Sequence, residues 1–253
     1  GRRSYTDVAE EVRLLLHLTS DGVSVAEPVP RSDSEYVGRI GAPEGERFYV
    51  LYHAAEGEQD NGEDPARIEA FGRIVARMHE SCDAFSMPYR RARLDIAHLV
   101  DENLKVIVPL MAHRPSDVAV IEAVASHCRQ LSILNDETSP VVGICHGDLH
   151  GGDVSFDTDG EATLYDFDSS GTGFRALDIG VFPASVEWMN TSPEIEAKRA
   201  RHLDTFLEGY SCVRRLNDEE LHAVSFTAPI RHIYLMGFVL RYTAYTQGDH
   251  WAD

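Results

Sequence analysis

Apolar residues recur at helical spacing at the start of the chain. Val8, Val12, Leu15 and Leu16 share one face over residues 7–20. Thr6 or Asp7 is placed to cap this helix, and Gly22 to end it. The period then changes. "VSVAEPVP", "SEYVGRI" and "RFYVLYHA" read as extended segments, the last rich in aromatic and β-branched residues. A polar, turn-rich run, "EGEQDNGED" (56–64), follows. Helical spacing returns after Asp64, a cap with Pro65 in the first turn, and Phe71, Ile74, Val75 and Met78 form the apolar face. A further helix is expected after Ser116, with Ile121, Val124, Ala125, Cys128 and Leu131 as its stripe. "VVGIC" reads as a short buried strand, and "DVSF" and "ATLYDF" as strands joined by the turn "DTDG". Beyond residue 175 the pattern is helical, with Pro193 and Pro229 near helix starts and Gly209 near a stop. This order predicts a small α/β lobe over 1–55 followed by a mainly helical lobe over 56–253.

Composition narrows the partners more than the fold. The 253 residues are 43% hydrophobic, enough for a globular chain with a sizeable core. A net charge of -19 argues against a nucleic-acid surface. It suits a cationic substrate or metal ions, and it also simply favours solubility. The four cysteines are scattered, with no Cys-x-x-Cys pair to suggest zinc, and Cys128 and Cys145 read as buried thiols. No apolar run has the length of a bilayer span and no signal peptide is visible, so the expectation is a cytoplasmic protein with no membrane partner; oligomeric state is left open. The most basic stretch, 85–115, holds Arg90, Arg91, Arg93, His98, Lys105, His113 and Arg114. It reads either as a surface for an anionic or protein substrate or as a solvated loop.

The chemistry concentrates in "GICHGDLHGGDVSF" (143–156), which holds His146, Asp148, His150 and Asp153. Two phosphate chemistries use such segments. In a two-metal phosphoesterase, carboxylates and imidazoles bridge two ions. "GDLHG" resembles the first motif of calcineurin-like metallophosphatases, but that family's later ligand motifs do not occur downstream. Phosphoryl transfer instead needs a carboxylate near the acceptor hydroxyl and hard oxygen ligands for magnesium. Asp148 and Asp153, with Asp166 and Asp168 delivered by the hairpin in "LYDFD", supply that set.

At this point the chain resembles a family. "CHGDLHGGDVSFDTDGEATLYDFDSSGTGFRALDIG" is similar to the catalytic core of the aminoglycoside phosphotransferase and choline kinase group, which shares the protein-kinase-like fold. "DVAEEVRLLLHL", "APEGERFYVLYHAAEG" and "FGRIVARMHES" extend the likeness to a small-lobe helix, a strand with hinge, and a large-lobe helix. Within the group it looks most like the bacterial stress-response kinase type that phosphorylates Ser/Thr. The resemblance implies an α+β, two-lobed protein-kinase-like fold with a truncated small lobe and a mainly helical large lobe. It implies transfer of the ATP γ-phosphoryl group, with Mg2+, to a hydroxyl of a small molecule (aminoglycoside, choline, sugar or homoserine type) or of a protein Ser/Thr. Asp148 becomes the catalytic, hydroxyl-orienting residue and His146 a brace of its loop. Asp153, Asp166 and Asp168 become metal ligands, with Asp168 the one that also reads as a turn residue. Asp178 bonds loop backbone groups. Glu11 becomes the partner of an ATP-contacting Lys, and Leu51, Tyr52, His53 and Ala54 meet adenine through backbone groups.

Two positions depart from that pattern. Residue 153 is Asp where the family has Asn, which adds a like charge beside Asp148 and Asp166. Only six residues precede the helix carrying Glu11, none of them Lys, although Arg2 and Arg3 lie nearby. The second reading is therefore a pseudokinase, a nucleotide-binding or regulatory module with impaired catalysis.

Overall fold

A computed structural model describes residues 3–43, 45–59, 62–86, 88–130 and 141–246, with side chains up to 241. Helix α1 spans Tyr5–Ser20. It starts earlier than the apolar spacing indicates because Ser4 and Asp7 form a capping box. Ser4 Oγ accepts from Asp7 N at 3.2 Å, and Asp7 Oδ2 accepts from Ser4 N at 2.8 Å. Its buried face is Val8, Val12, Leu14, Leu15 and Leu18, with Leu16 half-buried. Glu10 and Glu11 are buried as well, against the ordinary expectation for carboxylates.

Four short strands follow. β1 (Pro28–Val29) pairs with β4 (Leu51–Tyr52), while β2 (Gly38–Ala42) and β3 (Gly45–Tyr49) form a separate antiparallel ribbon. "RFYVLYHA" is thus split at Val50 between two partners, where its composition reads as one strand. Helix α2 (Pro65–Asp83) begins at the expected cap, with Asp64 Oδ1 accepting from Ala66 N at 2.9 Å. Phe71, Ile74, Val75 and Met78 are all buried.

The basic stretch conceals more structure than its charge suggests. It holds β5 (Arg93–Leu94), a π-helical turn (Ala97–Asp101) and α3 (Glu102–Leu110). Helix α4 (Pro115–Cys128) buries Ala125 and Cys128, with Ile121 and Val124 packed partly against the core. Leu131, expected in the same stripe, lies outside the described residues.

β6 (Val142–Cys145), β7 (Val154–Phe156), β8 (Ala162–Leu164) and β9 (Gly171–Phe174) come next. β9 runs between β5 and β6, parallel to the first and antiparallel to the second. No element is expected over 171–174 from sequence; pairing on both sides makes "GTGF" a strand. β7 and β8 form the expected hairpin, Val154 opposite Leu164. The hairpin is bonded along both edges, by Ala26 N to Leu164 O at 2.8 Å and by Glu58 N to Phe156 O at 3.0 Å. These contacts join the first 60 residues to the acidic segment.

Helices α5 (Ala176–Ser185), α6 (Pro193–Ser211), α7 (Asp218–Val224) and α8 (Thr227–Thr246) complete the fold. α6 lies along α2 with backbones in close approach. A Cβ on Gly209 would stand 1.9 Å from Glu69 O, and one on Gly72 would stand 2.0 Å from Phe206 O. Gly209 lies in the last turn of α6, near the stop its sequence suggests, and at the helix crossing, where a side chain cannot fit. Phe71 meets Phe182 and Phe206 edge-on at 5.1 and 5.4 Å, closing the core between α2, α5 and α6. Among the described residues no single helix is long and apolar enough to cross a membrane.

Candidate active site

β6 delivers the chain to His146, Gly147 and Asp148, and a fully buried carboxylate holds the turn. Asp178, near the start of α5, accepts from His146 N at 2.7 Å and from Gly147 N at 2.8 Å. It also accepts from His79 Nε2 at 3.1 Å, and His79 Nδ1 in turn meets Tyr210 OH at 2.9 Å. Burial by itself would raise the pKa of Asp178, but the His79 bond and the loop N–H groups outweigh it and hold the carboxyl below its ordinary value. Burial lowers the pKa of His79. A neutral imidazole donating Nε2–H to Asp178 and accepting from Tyr210 satisfies every group in the chain. Gly147 has φ +85°, and a Cβ there would stand 2.4 Å from Ser169 O. Only glycine allows this turn.

The resemblance implies that His146 braces its loop, and its contacts are compatible with that role. Its ring is buried, meets Tyr165 O through Nε2 at 2.9 Å, and lies tilted against Phe167 at 4.5 Å. Among the described residues no three His, Cys, Asp or Glu side chains converge as a preformed ion cage.

The hairpin sets the acidic residues. Tyr165 N bonds Asp153 O at 3.0 Å, so the pair flanking the hairpin end places Asp153 and Asp166 at one edge. Asp166 has left-handed backbone, φ 64° and ψ 52°, a conformation uncommon outside glycine and found at functional turns. Burial, then its neighbours Asp168 and Asp148, push the Asp166 pKa up. Asp153 is 5% exposed. Burial pushes its pKa up to about 7, and the charges of Asp148 and Asp166 add to this, while His146 and the His150 N–H oppose it. These are hard oxygen donors whose negative charge lacks local compensation. A divalent ion takes one or two carboxylates and completes its shell with water and phosphate oxygens, so Asp166 and Asp153 suit it without a closed protein cage.

The raised Asp153 pKa gives a pH dependence. A divalent ion binds the ionised form, so protons compete with it below about pH 7. Apparent Mg2+ affinity is expected to fall by up to about tenfold per pH unit below that point. In Asp153→Asn this part of the dependence disappears. Calorimetric Mg2+ titrations at pH 6, 7 and 8 in the presence of ATP check it, and equal slopes in the two proteins would contradict it.

Two cavities flank this centre. One, of about 550 Å³, is lined by Glu11, Tyr52, His53, Ala54, Asp166 and Asp168. Of the residues expected around a nucleotide base, Leu51 is not in its wall; it is 58% exposed within β4. The His53 N–H is already engaged by Glu27 O at 2.9 Å, and Ala54 and Ala55 also line the cavity. Glu11 pairs with Arg3 and with Arg91 Nη1 at 3.1 Å, and its Oε1 accepts from Tyr52 OH at 2.8 Å. Among the described residues its cationic partners are thus arginines. Arg2 lies outside them. Arg91 further donates to Phe167 O at 3.2 Å, to Ser170 Oγ at 3.1 Å and to Asp168 O. One guanidinium therefore ties α1 to the Asp166–Asp168 turn.

The second cavity, about 730 Å³, is lined by His150, Trp188, Lys198, Arg231 and His232 among others. Gln59 lines both cavities and donates to Gly152 O and Tyr165 OH, each at 2.8 Å. Asp148 is held from the α8 side by an ion pair with Arg231. Arg91, Gln59 and Arg231 carry no local sequence signal. Arg91 is one residue of a basic run, and Arg231 sits on a helix far downstream of its partner.

A braced His-Gly-Asp loop facing a hairpin of carboxylates, with one cavity on each side, defines a phosphotransferase. The model of the phosphotransferase enzyme family matches residues 1–216, and the chain belongs to that family. A Deinococcus radiodurans protein without an assigned function is 34% identical over 241 residues, covering 94% of this chain and 68% of its own. Stress response kinase A of Shigella flexneri is 23% identical over 259 residues, covering 97% of this chain and 67% of its own. The solved amicoumacin kinase hAmiN, in complex with AMP-PNP, Ca2+ and Ami, superposes with a TM-score of 0.75 at 26% identity. It covers 95% of this chain and 72% of that one. The α+β, kinase-like fold is therefore observed. This chain spans roughly two thirds of the length of those relatives.

Proposed function

We propose that this chain carries the site for transfer of the ATP γ-phosphoryl group to a hydroxyl of a small molecule. The observation that carries the reading is the junction at Gln59. It joins a cavity edged by Asp166, Asp168 and Glu11 to a second cavity whose Arg231 grips Asp148. Bound Mg2+ supplies charge compensation on the triphosphate. Asp166 and Asp153 hold that ion, Glu11 and its arginines shape the nucleotide side, and Asp148 orients the acceptor hydroxyl and takes its proton. The Asp178 network keeps Asp148 at a fixed distance from the hairpin, which is the positioning this chemistry depends on.

The acceptor cavity supports a small molecule over a protein Ser/Thr side chain. Its size falls in the range of drug-sized ligand sites, and Phe182, Trp188, Leu235 and Val239 give it apolar walls beside the Lys198–Glu63 pair. Nucleotide titration of the full natural chain, with and without Mg2+, separates a kinase from a regulatory module that has lost nucleotide chemistry. ATP is expected to bind more tightly with Mg2+ present, by about tenfold or more, and Asp166→Asn to remove most of that gain. Failure of ATP to bind at any Mg2+ concentration would overturn the reading.

A further inference from the structure

Resting on the phosphotransferase reading, one cation stands out. Transfer places a multiply charged phosphoryl group among Asp148, Asp153, Asp166 and Asp168. Asp148, Asp166 and Asp168 already bear on one another electrostatically. Charge of one sign at this density opposes the transferring group unless a cation accompanies it. Arg91 and Arg3 act on the far side, at Glu11. On the acceptor side, Lys198 is paired with Glu63 at 2.7 Å, and His150 turns back on its own loop, its Nδ1 accepting from Gly152 N at 2.9 Å. Arg231 remains. It is 7% exposed, it forms part of the acceptor cavity wall, and its ion-pair partner among the described residues is Asp148.

A guanidinium has more donors than one carboxylate contact uses, arranged in a planar fork that matches phosphate oxygens. The group that must come within reach of both Asp148 and Arg231 is the one moving onto the hydroxyl that Asp148 orients. We propose that Arg231 is a catalytic residue, binding the phosphoryl group as it passes from ATP to the acceptor. In that step the acceptor oxygen forms a bond to the γ-phosphorus while the bond from that phosphorus to the β,γ-bridging oxygen breaks. The electron pair leaves with ADP, and the hydroxyl proton passes to Asp148. Arg231 neutralises charge on the phosphoryl oxygens without giving up a proton. Its pair with Asp148 in the resting chain keeps the guanidinium aimed at that point before substrate arrives. The position on α8 also explains why a helix so far along the chain returns to the catalytic loop.

Three variants test this in the full natural chain. Arg231→Gln is expected to slow ATP turnover about 100-fold with little change in the KM for ATP. Arg231→Lys is expected to retain part of the rate, and guanidinium ion to restore part of it to Arg231→Ala. Turnover by Arg231→Gln equal to the parent's would overturn the proposal. A role limited to holding Asp148 is separated by titrating inorganic phosphate into protein saturated with ADP and Mg2+, all in an Asp148→Asn background. Loss of Arg231 is then expected to weaken phosphate binding at least about tenfold, whereas unchanged affinity would leave Arg231 as a prop for Asp148 and refute phosphoryl contact. Absence of turnover in the parent itself would sink the kinase reading, and the phosphate titration would still decide whether Arg231 binds phosphate.

Discussion

Asp178→Ala is expected to destabilise the protein by roughly 3–5 kcal/mol, the usual cost of removing one partner from a buried hydrogen-bonded charge network. The loss has identifiable parts. The N–H groups of His146 and Gly147 lose their acceptor, and His79, still bonded to Tyr210, faces a void. Gly147 is free to adopt many other conformations, so without the Asp178 bonds its left-handed turn is no longer selected. Thermal unfolding is expected to shift down by roughly 10 °C, at about 2–4 °C per kcal/mol for a chain of this size. A variant that unfolds within a degree of the parent would show that the loop is held by something else. Asp178→Asn keeps an acceptor oxygen but turns a second donor toward groups that also donate, so it is expected to fall between the two.

That network shows what the sequence makes legible and what it leaves hidden. Its catalytic end is local. His146, Asp148, Asp153, Asp166 and Asp168 lie within one loop and one hairpin, so spacing alone brings them together. The same holds for α1 and α2, whose apolar faces and capping residues are read from neighbours three and four apart. The supports are non-local. His79 reaches Asp178 across 99 positions, and Glu11 meets Arg91 across 80. No periodicity encodes such pairs. Charge misleads in the same region, because Arg91 belongs to a stretch that reads as solvated and yet is buried at the site. Gly209 is a further case. It lies near the end of α6 as a stop signal suggests, but its close approach to Glu69 has no local signal. Residues 51–54 show the limit of a carried-over role, since Leu51 faces solvent and the His53 N–H is engaged by Glu27.

Asp153 stands between these groups. Its place beside the hairpin follows from sequence. Its burial, which pushes its pKa up to about 7, comes from the packing of β7 and the His150 turn. The family's Asn would bring an uncharged oxygen to the same spot. On the proposed role of Asp153 as an ion ligand, the Asp found here is expected to make ion binding sensitive to pH in the neutral range.

The second large effect concerns Asp148. Its side chain is 31% exposed, and it is paired with Arg231, a residue of the second cavity's wall. If it orients the acceptor and takes its proton, Asp148→Asn keeps the shape and loses the base. General-base removal costs typically about 10²–10⁴-fold in rate, equivalent to roughly 3–5 kcal/mol in the barrier. With the nucleotide in the other cavity, as proposed, ATP affinity is expected to change by less than about twofold.

The most direct measurement is ATP turnover at saturating ATP and Mg2+ by the full natural chain and by Asp148→Asn, with ATP affinity measured on the same preparations. Turnover by the parent, a loss of at least about 100-fold in the variant, and matched affinities are the result expected of a phosphotransferase built on Asp148. Equal turnover in the two proteins would contradict it.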